Sequence, residues 1–375
     1  MSLSLTQLTD DAASLARTWM AATAAGQTAA ERRTTHRLAQ LVSDPAGLEF
    51  AVRFVDRVAR PDDLQVAAHE LAELRSVASA PGAFLNPVDR LLVTAGTVAA
   101  PLLPRVVVPA ARTRLRQLVG HLVVDDGPRL AKHIAKATAD GFRLNINLLG
   151  EAVLGQQEAG HRAERILALI ARPDISYVSV KTSAVVSQLS TWDTADSVER
   201  VLETVRPLYL AAKERGTFIN LDMEEYHDLD LTVAVFLRLM ADPELLGLEM
   251  GIVLQAYLPD SGAALDVLTE AAAARRAAGG ARVKVRLVKG ANLAMERVDA
   301  ELHGWAQAPY GSKPDVDANY VRVLDRALDP TRTDAVRIGV ASHNLFDVAL
   351  AHLMASDRGV GEALDVEMLQ GMAPA

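Results

Sequence analysis

From about Phe142 to the end of the chain, short and nearly continuous apolar runs alternate with amphipathic stretches. The runs read as buried strands over residues 143–149, 177–181, 218–222, 251–257, 283–289, 336–342 and 365–369. Between them, apolar residues return every third or fourth position, which predicts helices over 197–215, 231–241, 263–278 and 318–328. Strands with no consistently polar face, separated by helices, imply an α/β fold with a parallel sheet covered by helices. About seven such units in a row favour a (β/α)8 barrel of the TIM type over an open doubly wound sheet. A Gly-x-Gly-x-x-Gly turn after the first strand would point to a dinucleotide-binding sheet, and it is absent.

The first third has a different texture. It is Ala-rich, with Leu38, Leu41, Val42, Phe50, Phe54, Val55 and Val58 at helix-like spacing. Pro45, Pro61, Pro81-Gly82 and Pro87 divide it into several helices. It carries no His/Asp/Glu cluster and no Gly-rich loop, so it reads as a scaffold. We expect a helical arm over residues 1–135 and the barrel over 136–375. The most apolar stretch, 91–110, is broken by Pro101, Pro104 and Arg105, and falls short of the ~20 residues of a membrane span. A buried helix followed by a turn is expected there, with a membrane-surface patch as the other reading. Gly371-Met-Ala-Pro-Ala375 follows the seventh strand without an eighth strand or closing helix. The expectation is a barrel truncated after about its seventh strand, with two unpaired edges, in a fragment of a longer polypeptide.

Composition narrows the function. Half of the 375 residues are hydrophobic, enough for one large core and a helical extension. A formal net charge of -8 argues against a nucleic-acid partner. The absence of cysteine removes disulfides, thiolate nucleophiles and Cys-ligated metals, and fits a reducing, cytoplasmic setting. Asp10 and Asp11 stand where a signal peptide would be basic. A metal-dependent barrel hydrolase finds no ligand set, because the nine histidines are scattered and mostly away from strand ends.

In a barrel, chemistry gathers at the C-terminal ends of the strands. Those ends carry Glu151, Lys181, Asp222 with Glu224 and Glu225, Gln255, Arg286 with Lys289, and Ser342-His343-Asn344. Each has an ordinary explanation alone. Glu224 and Glu225 would complement a helix dipole, Lys181 would snorkel, and His343-Asn344 would cap a helix beginning near Leu345. Gathered on one rim, they point to a site. The stretch Val283-Lys-Val-Arg-Leu-Val-Lys-Gly-Ala291 is its most informative part. A half-buried strand that spends positions on cations and opens into Gly-Ala implies an anion-facing or cofactor-facing edge.

Six strings follow one another between about Phe142 and Met372: Asn145-Ile-Asn-Leu-Leu-Gly-Glu151, Ser179-Val-Lys-Thr182, Asn220-Leu-Asp-Met-Glu-Glu225, Gly251-Ile-Val-Leu-Gln-Ala-Tyr257, Val285-Arg-Leu-Val-Lys-Gly-Ala291 and Ala341-Ser-His-Asn344. Together they resemble the proline dehydrogenase family, whose fold is a distorted FAD-binding (β/α)8 barrel. The likeness is closest to the proline dehydrogenase portion of bifunctional proline utilization A proteins, where a Δ1-pyrroline-5-carboxylate dehydrogenase domain follows. The N-terminal third looks like the arm that precedes the barrel in those proteins. A ribbon-helix-helix-like segment, which makes some members DNA-binding, is not seen.

The resemblance implies FAD-dependent oxidation of L-proline to Δ1-pyrroline-5-carboxylate, the first step of proline catabolism to glutamate. Hydride would pass from proline C5 to flavin N5, and the electrons then to a quinone. A peripheral contact with the inner face of the membrane is left open. By the same resemblance, Arg286 would sit beside flavin N5 and Gln255 would bond its pyrimidine edge. Met223 would pack on the ring, while Lys289, Gly290, Ala291, Ser342 and His343 complete the cofactor site. Lys181 would contact the substrate carboxylate, Asp222 would orient the cations around it, and Glu151 would pair with an active-site arginine to close the pocket. Asn292 departs from an aromatic position of many members. The paired arginines that clamp the carboxylate in the family are not in this sequence, so the chain alone is expected to be weakly active or inactive. Two alternatives stand: another flavin-dependent barrel, such as a methylenetetrahydrofolate reductase-like enzyme, and a non-catalytic scaffold that binds a partner through its open edge.

Overall fold

The computed structural model describes residues 5–59, 61, 63–74, 87–119, 128–148 and 153–370. The chain divides into two compact units, one joining residues 1–19 to 127–368 and the other holding 20–126 and 369–375.

The larger unit contains seven parallel strands in the order β1-β2-β3-β4-β5-β6-β7. They are β1 (Ile146–Asn147), β2 (Tyr177–Lys181), β3 (Phe218–Asp222), β4 (Met250–Gln255), β5 (Val283–Val288), β6 (Val336–Ala341) and β7 (Leu364–Glu367). Helices Thr194–Arg215, Leu229–Ala241, Ser261–Ala277, Lys313–Ala327 and Leu345–Asp357 lie between them in sequence. The outward residues of the middle strands, Val178, Val180, Ile219, Leu221, Ile252 and Leu254, are fully buried. Apolar on that face and mixed on the other, these strands are stable only when helices cover the first and the barrel interior takes the second. Every strand expected from the apolar runs is present, with β1 reduced to two residues.

Register explains the interior. Ser179, Asn220, Gly251, Lys284 and Arg337 are neighbours across β2 to β6 and so share one face. Two glycines in that face lie tight against their neighbours. A Cβ on Gly251 would lie 2.5 Å from Asn220 Oδ1 and 2.9 Å from the Phe218 ring, and one on Gly339 would lie 2.5 Å from Glu367 Oε1. Small residues in mid-strand thus leave room for large and charged neighbours. The sheet curls far enough that Tyr177 on β2 donates its hydroxyl to Glu367 on β7, at 3.2 Å. This is the curled wall of a (β/α)8 barrel seen through its seventh strand.

The strand-entry end of this unit is tied by one buried cation. Arg275, on helix Ser261–Ala277, donates to the carbonyls of Met240, Leu245, Leu248 and Ala281 at 2.6–3.1 Å. These carbonyls end one helix and precede β4 and β5.

The smaller unit is helical, and the proline punctuation is visible in it. Pro45, Pro87 and Pro104 each open a helix, where the missing N–H costs nothing. Thr28 and Glu31 form a reciprocal capping box, and Asp44 and Asp63 cap the next two helices through their carboxylates. Its core joins Phe50, Phe54, Val58, Ala67, Ala68, Leu71, Leu74, Ala100 and Val108. Pro81-Gly82 lies outside the described residues. The stretch 91–110 differs from expectation. It forms helix Pro87–Ala99, a turn and the start of helix Pro104–Val119, but Leu91 is 70% and Leu102 80% exposed, with Leu92, Leu103 and Val106 also outside. A helix buries one face, and the core takes only Val93, Ala100, Val107 and Val108 from this stretch. No described helix is long and apolar enough to cross a membrane.

Candidate active site

Arg286 is the hub of the barrel interior. Its Nε–H donates to Glu367 Oε2 at 2.8 Å, its Nη1 to Asp222 Oδ1 at 3.0 Å, and its Nη2 to the Tyr177 hydroxyl at 2.6 Å. Strand β5 places it there because alternate residues share a face, so Lys284 and Arg286 both turn inward while Val283, Val285 and Leu287 are buried outward. Asp222 is further held by Asn220 Nδ2 at 2.7 Å and the Ser179 hydroxyl at 3.1 Å. Burial pushes the Asp222 carboxyl above its ordinary range, against the pull of Arg286. Glu367 behaves oppositely: burial would raise it, but Arg286 and Lys284 outweigh that and hold it below the ordinary range. For Arg286 itself, burial opposes the charge, and Asp222, Tyr177 and Glu367 more than compensate.

Two more cations stand on the same rim, each paired with carboxylate. Lys181 is the register partner of Asp222, and its ammonium contacts Glu224 on the loop after β3. Lys289 binds Asp317 at 2.6 Å and Asp347 at 2.8 Å. Burial works against the Lys289 charge, and the two carboxylates outweigh it. The partners differ in a way that sorts the roles. The Glu224 side chain is 46% exposed, whereas that of Asp347 is 4% exposed. Glu224 can turn away from Lys181 into solvent, whereas Asp347 has no such exit from Lys289. Lys289 is fixed.

Next to this rim, Gln255 is buried at the end of β4. Its Nε2 donates to the Met223 carbonyl at 2.8 Å, while its Oε1 has no donor. A buried acceptor left open is costly, and it matches a ligand that offers an N–H. Ser342 donates to Asp347 at 2.8 Å, which links it to Lys289, and its hydroxyl also accepts the Asn344 N–H. Asn344 caps helix Leu345–Asp357 through the Phe346 N–H, as its sequence position implied. Asn292 donates to the Glu224 carbonyl at 3.0 Å, so it secures the loop after β3.

Gly290 has a φ of +120°, and a Cβ there would meet the Tyr257 ring at 2.5 Å. Both the backbone conformation and the space require glycine. Gly290→Ala is expected to shift the whole Lys289–Ala291 turn and to cost about 2–4 kcal/mol of stability. Urea unfolding measures it, and a loss under about 0.5 kcal/mol would show that the turn is free to move.

Of the residues expected from sequence, Asp222 and Arg286 meet through an ion pair, and Lys181 is the register neighbour of Asp222 at the end of β2. Met223 and Gln255 meet through one hydrogen bond. Lys289 and Ser342 meet at Asp347. His343 follows Ser342 in the same turn, and Ala291 follows Gly290 at the rim. Glu151 lies outside the described residues. Tyr177, Lys284, Glu367 and Asp347 were missed, although strand alternation signalled the inward turn of Lys284.

Compared with known proteins, residues 130–375 match the profile of the family described as proline dehydrogenase. The proline dehydrogenase of Deinococcus radiodurans is 28% identical over 270 residues, covering 70% of this chain and 77% of that protein. The bifunctional protein PutA of Escherichia coli K12 is 27% identical over 264 residues, covering 66% of this chain and 19% of its own length. Among solved structures, proline utilization A from Corynebacterium freiburgense shares 56% identity with a TM-score of 0.67, over 70% of this chain and 27% of that one. Proline utilization A from Bdellovibrio bacteriovorus, inactivated by N-propargylglycine, shares 25% identity with a TM-score of 0.78, over 98% of this chain and 37% of that one. The chain therefore spans a small part of the bifunctional relatives it matches.

Proposed function

The chain belongs to the proline dehydrogenase family, and from that premise we propose that its seven-stranded unit oxidises L-proline to Δ1-pyrroline-5-carboxylate with FAD. The observation that carries this reading is a largely buried guanidinium inside the barrel, on the strand next to one that ends in a buried amide whose acceptor Oε1 lacks a donor. Bound FAD would supply the chemistry, accepting hydride from proline C5 at its N5 and releasing the electrons to a quinone. The protein's part is binding and electrostatics. Gln255 Oε1 would accept the N–H of the flavin's pyrimidine edge. Arg286 would present a fixed cation where the reduced ring gains charge. Met223 would pack on the ring, with Lys289, Gly290, Ala291, Ser342 and His343 lining the rest.

Lys181 would exchange Glu224 for the proline carboxylate, and Asp222 would keep Arg286 oriented beside it. Glu151 is assigned the closing contact over the substrate. Proline that enters with a neutral amine needs no general base. Use of a quinone would bring the enzyme to the membrane surface, and a following Δ1-pyrroline-5-carboxylate dehydrogenase domain in the parent protein would consume the product.

Adding FAD and recording the visible spectrum before and after L-proline, without oxygen, tests the reading. Slow bleaching by proline is expected, in keeping with a sequence that lacks the paired carboxylate-clamping arginines. Gln255→Leu removes the open acceptor and strips the Met223 carbonyl of its donor, so its FAD dissociation constant should rise at least about tenfold. Reduction by a nicotinamide cofactor in place of proline would favour the other flavin-barrel reading. Failure to bind any flavin would favour the scaffold.

A further inference from the structure

Arg286 is pinned from three strands, and one of its anchors has no role in the chemistry described above. Its Nη1 meets Asp222 on β3, its Nη2 meets Tyr177 on β2, and its Nε meets Glu367 on β7. Glu367 is itself built in. Its Oε1 accepts from Lys284 Nζ at 2.7 Å, and the Tyr177 hydroxyl lies 3.2 Å from its Oε2. Lys284 is buried, with its ammonium 4.5 Å from the Tyr177 ring centre and 4.7 Å from that of Phe218. The Glu367 carboxylate sits where a Cβ on residue 339 would crowd it, 2.5 Å from Oε1.

We infer that Glu367, seated by Lys284 and Gly339, is a positioning residue that fixes the Arg286 guanidinium from the side opposite Asp222; its catalytic consequence rests on the role proposed for Arg286 above. A guanidinium is a planar fork of five N–H donors. Held only by Asp222 and Tyr177, it could swing about its side-chain torsions. A third bond at Nε, from a different strand, removes that freedom. The two carboxylates then divide the work. Glu367 meets two cations, Arg286 and Lys284, whereas Asp222 meets Arg286 and the neutral donors Asn220 and Ser179.

The first test needs no flavin. In wild-type protein labelled with 15N-arginine, the Arg286 Nε–H should exchange slowly with solvent. E367A should speed that exchange at least about tenfold, and E367Q, which keeps an acceptor at the site, should fall between them. G339A changes no ionisable group, yet it displaces Glu367 and should move the signal in the direction of E367A. Unchanged exchange in E367Q and G339A, or in a folded E367A, overturns the inference.

With FAD bound, E367A should slow flavin reduction by saturating proline about 100-fold, with the proline KM changed less than about threefold. The flavin's reduction potential should move with it. A variant that loses thermal stability but keeps its reduction rate and potential would reduce Glu367 to a structural part. Should the wild type itself not be reduced by proline, the proposed function fails, and the exchange measurement still decides the positioning.

Discussion

Replacing Arg286 with methionine is expected to cost about 3–5 kcal/mol of unfolding free energy near neutral pH, the penalty of leaving buried carboxylates without their cation. Asp222 and Glu367 are 15% and 18% exposed and flank the guanidinium on either side. Glu367 keeps Lys284, but the partners left to Asp222 among the described residues are the neutral donors Ser179, Asn220 and Asn147. The loss therefore falls mainly on Asp222. Its folded carboxyl is already raised by burial, and without Arg286 it rises further. A raised carboxyl binds a proton more readily folded than unfolded, so the variant's stability recovers as pH falls through that raised value. The gap between variant and wild type should thus be widest at neutral pH and narrow toward acid. Adding Asp222→Asn removes the stranded charge and should restore about 1.5 kcal/mol or more at neutral pH. A pH-independent gap, or no recovery in the double variant, would show that the pair is not coupled as its geometry implies.

Much of the interior was legible because strand alternation is local. The string Val283-Lys-Val-Arg-Leu-Val puts both cations of β5 on one face whatever the rest of the fold does. Lys181 and Asp222 close two adjacent strands, so their meeting on one rim followed from the parallel order alone. The contacts that give Arg286 its setting were not local. Tyr177 lies 109 residues away and Glu367 lies 81 away, and whether they meet it depends on how tightly the sheet curls. Curl is set by twist and stagger accumulated over all strands, which a single sequence does not spell out. Gly251 and Gly339 could have hinted at it, since glycine weakens a strand unless a neighbour needs the space.

The exposed leucines of 91–110 were misjudged for a related reason. Apolar content predicts burial only when a partner surface has room for it. In the smaller unit, Phe50, Phe54 and Leu71 already occupy the core that this stretch would have filled.

The second large effect is expected far from the rim. Arg275→Met should lower the unfolding free energy by about 3–5 kcal/mol and the thermal midpoint by about 10 °C. All four hydrogen bonds described for Arg275 go to backbone carbonyls, those of Met240, Leu245, Leu248 and Ala281. The side chain is 4% exposed, and burial draws the guanidinium below its usual range. Gly280 is shaped around it, because a Cβ there would lie 2.7 Å from Arg275 Cγ. Methionine restores most of the apolar stem and none of the donors, so several carbonyls at the entries to β4 and β5 lose their partner together. Lysine supplies one ammonium in place of a fork and cannot reach carbonyls spread over three segments. Arg275→Lys should therefore recover less than half of the loss. At a temperature where the variants stay folded, FAD affinity should match the wild type, because these carbonyls lie at the opposite end of the strands from Gln255 and Lys289. A methionine variant within about 1 kcal/mol of wild type would mean that water replaces the guanidinium at no cost, and that this end of the barrel is held by side-chain packing alone.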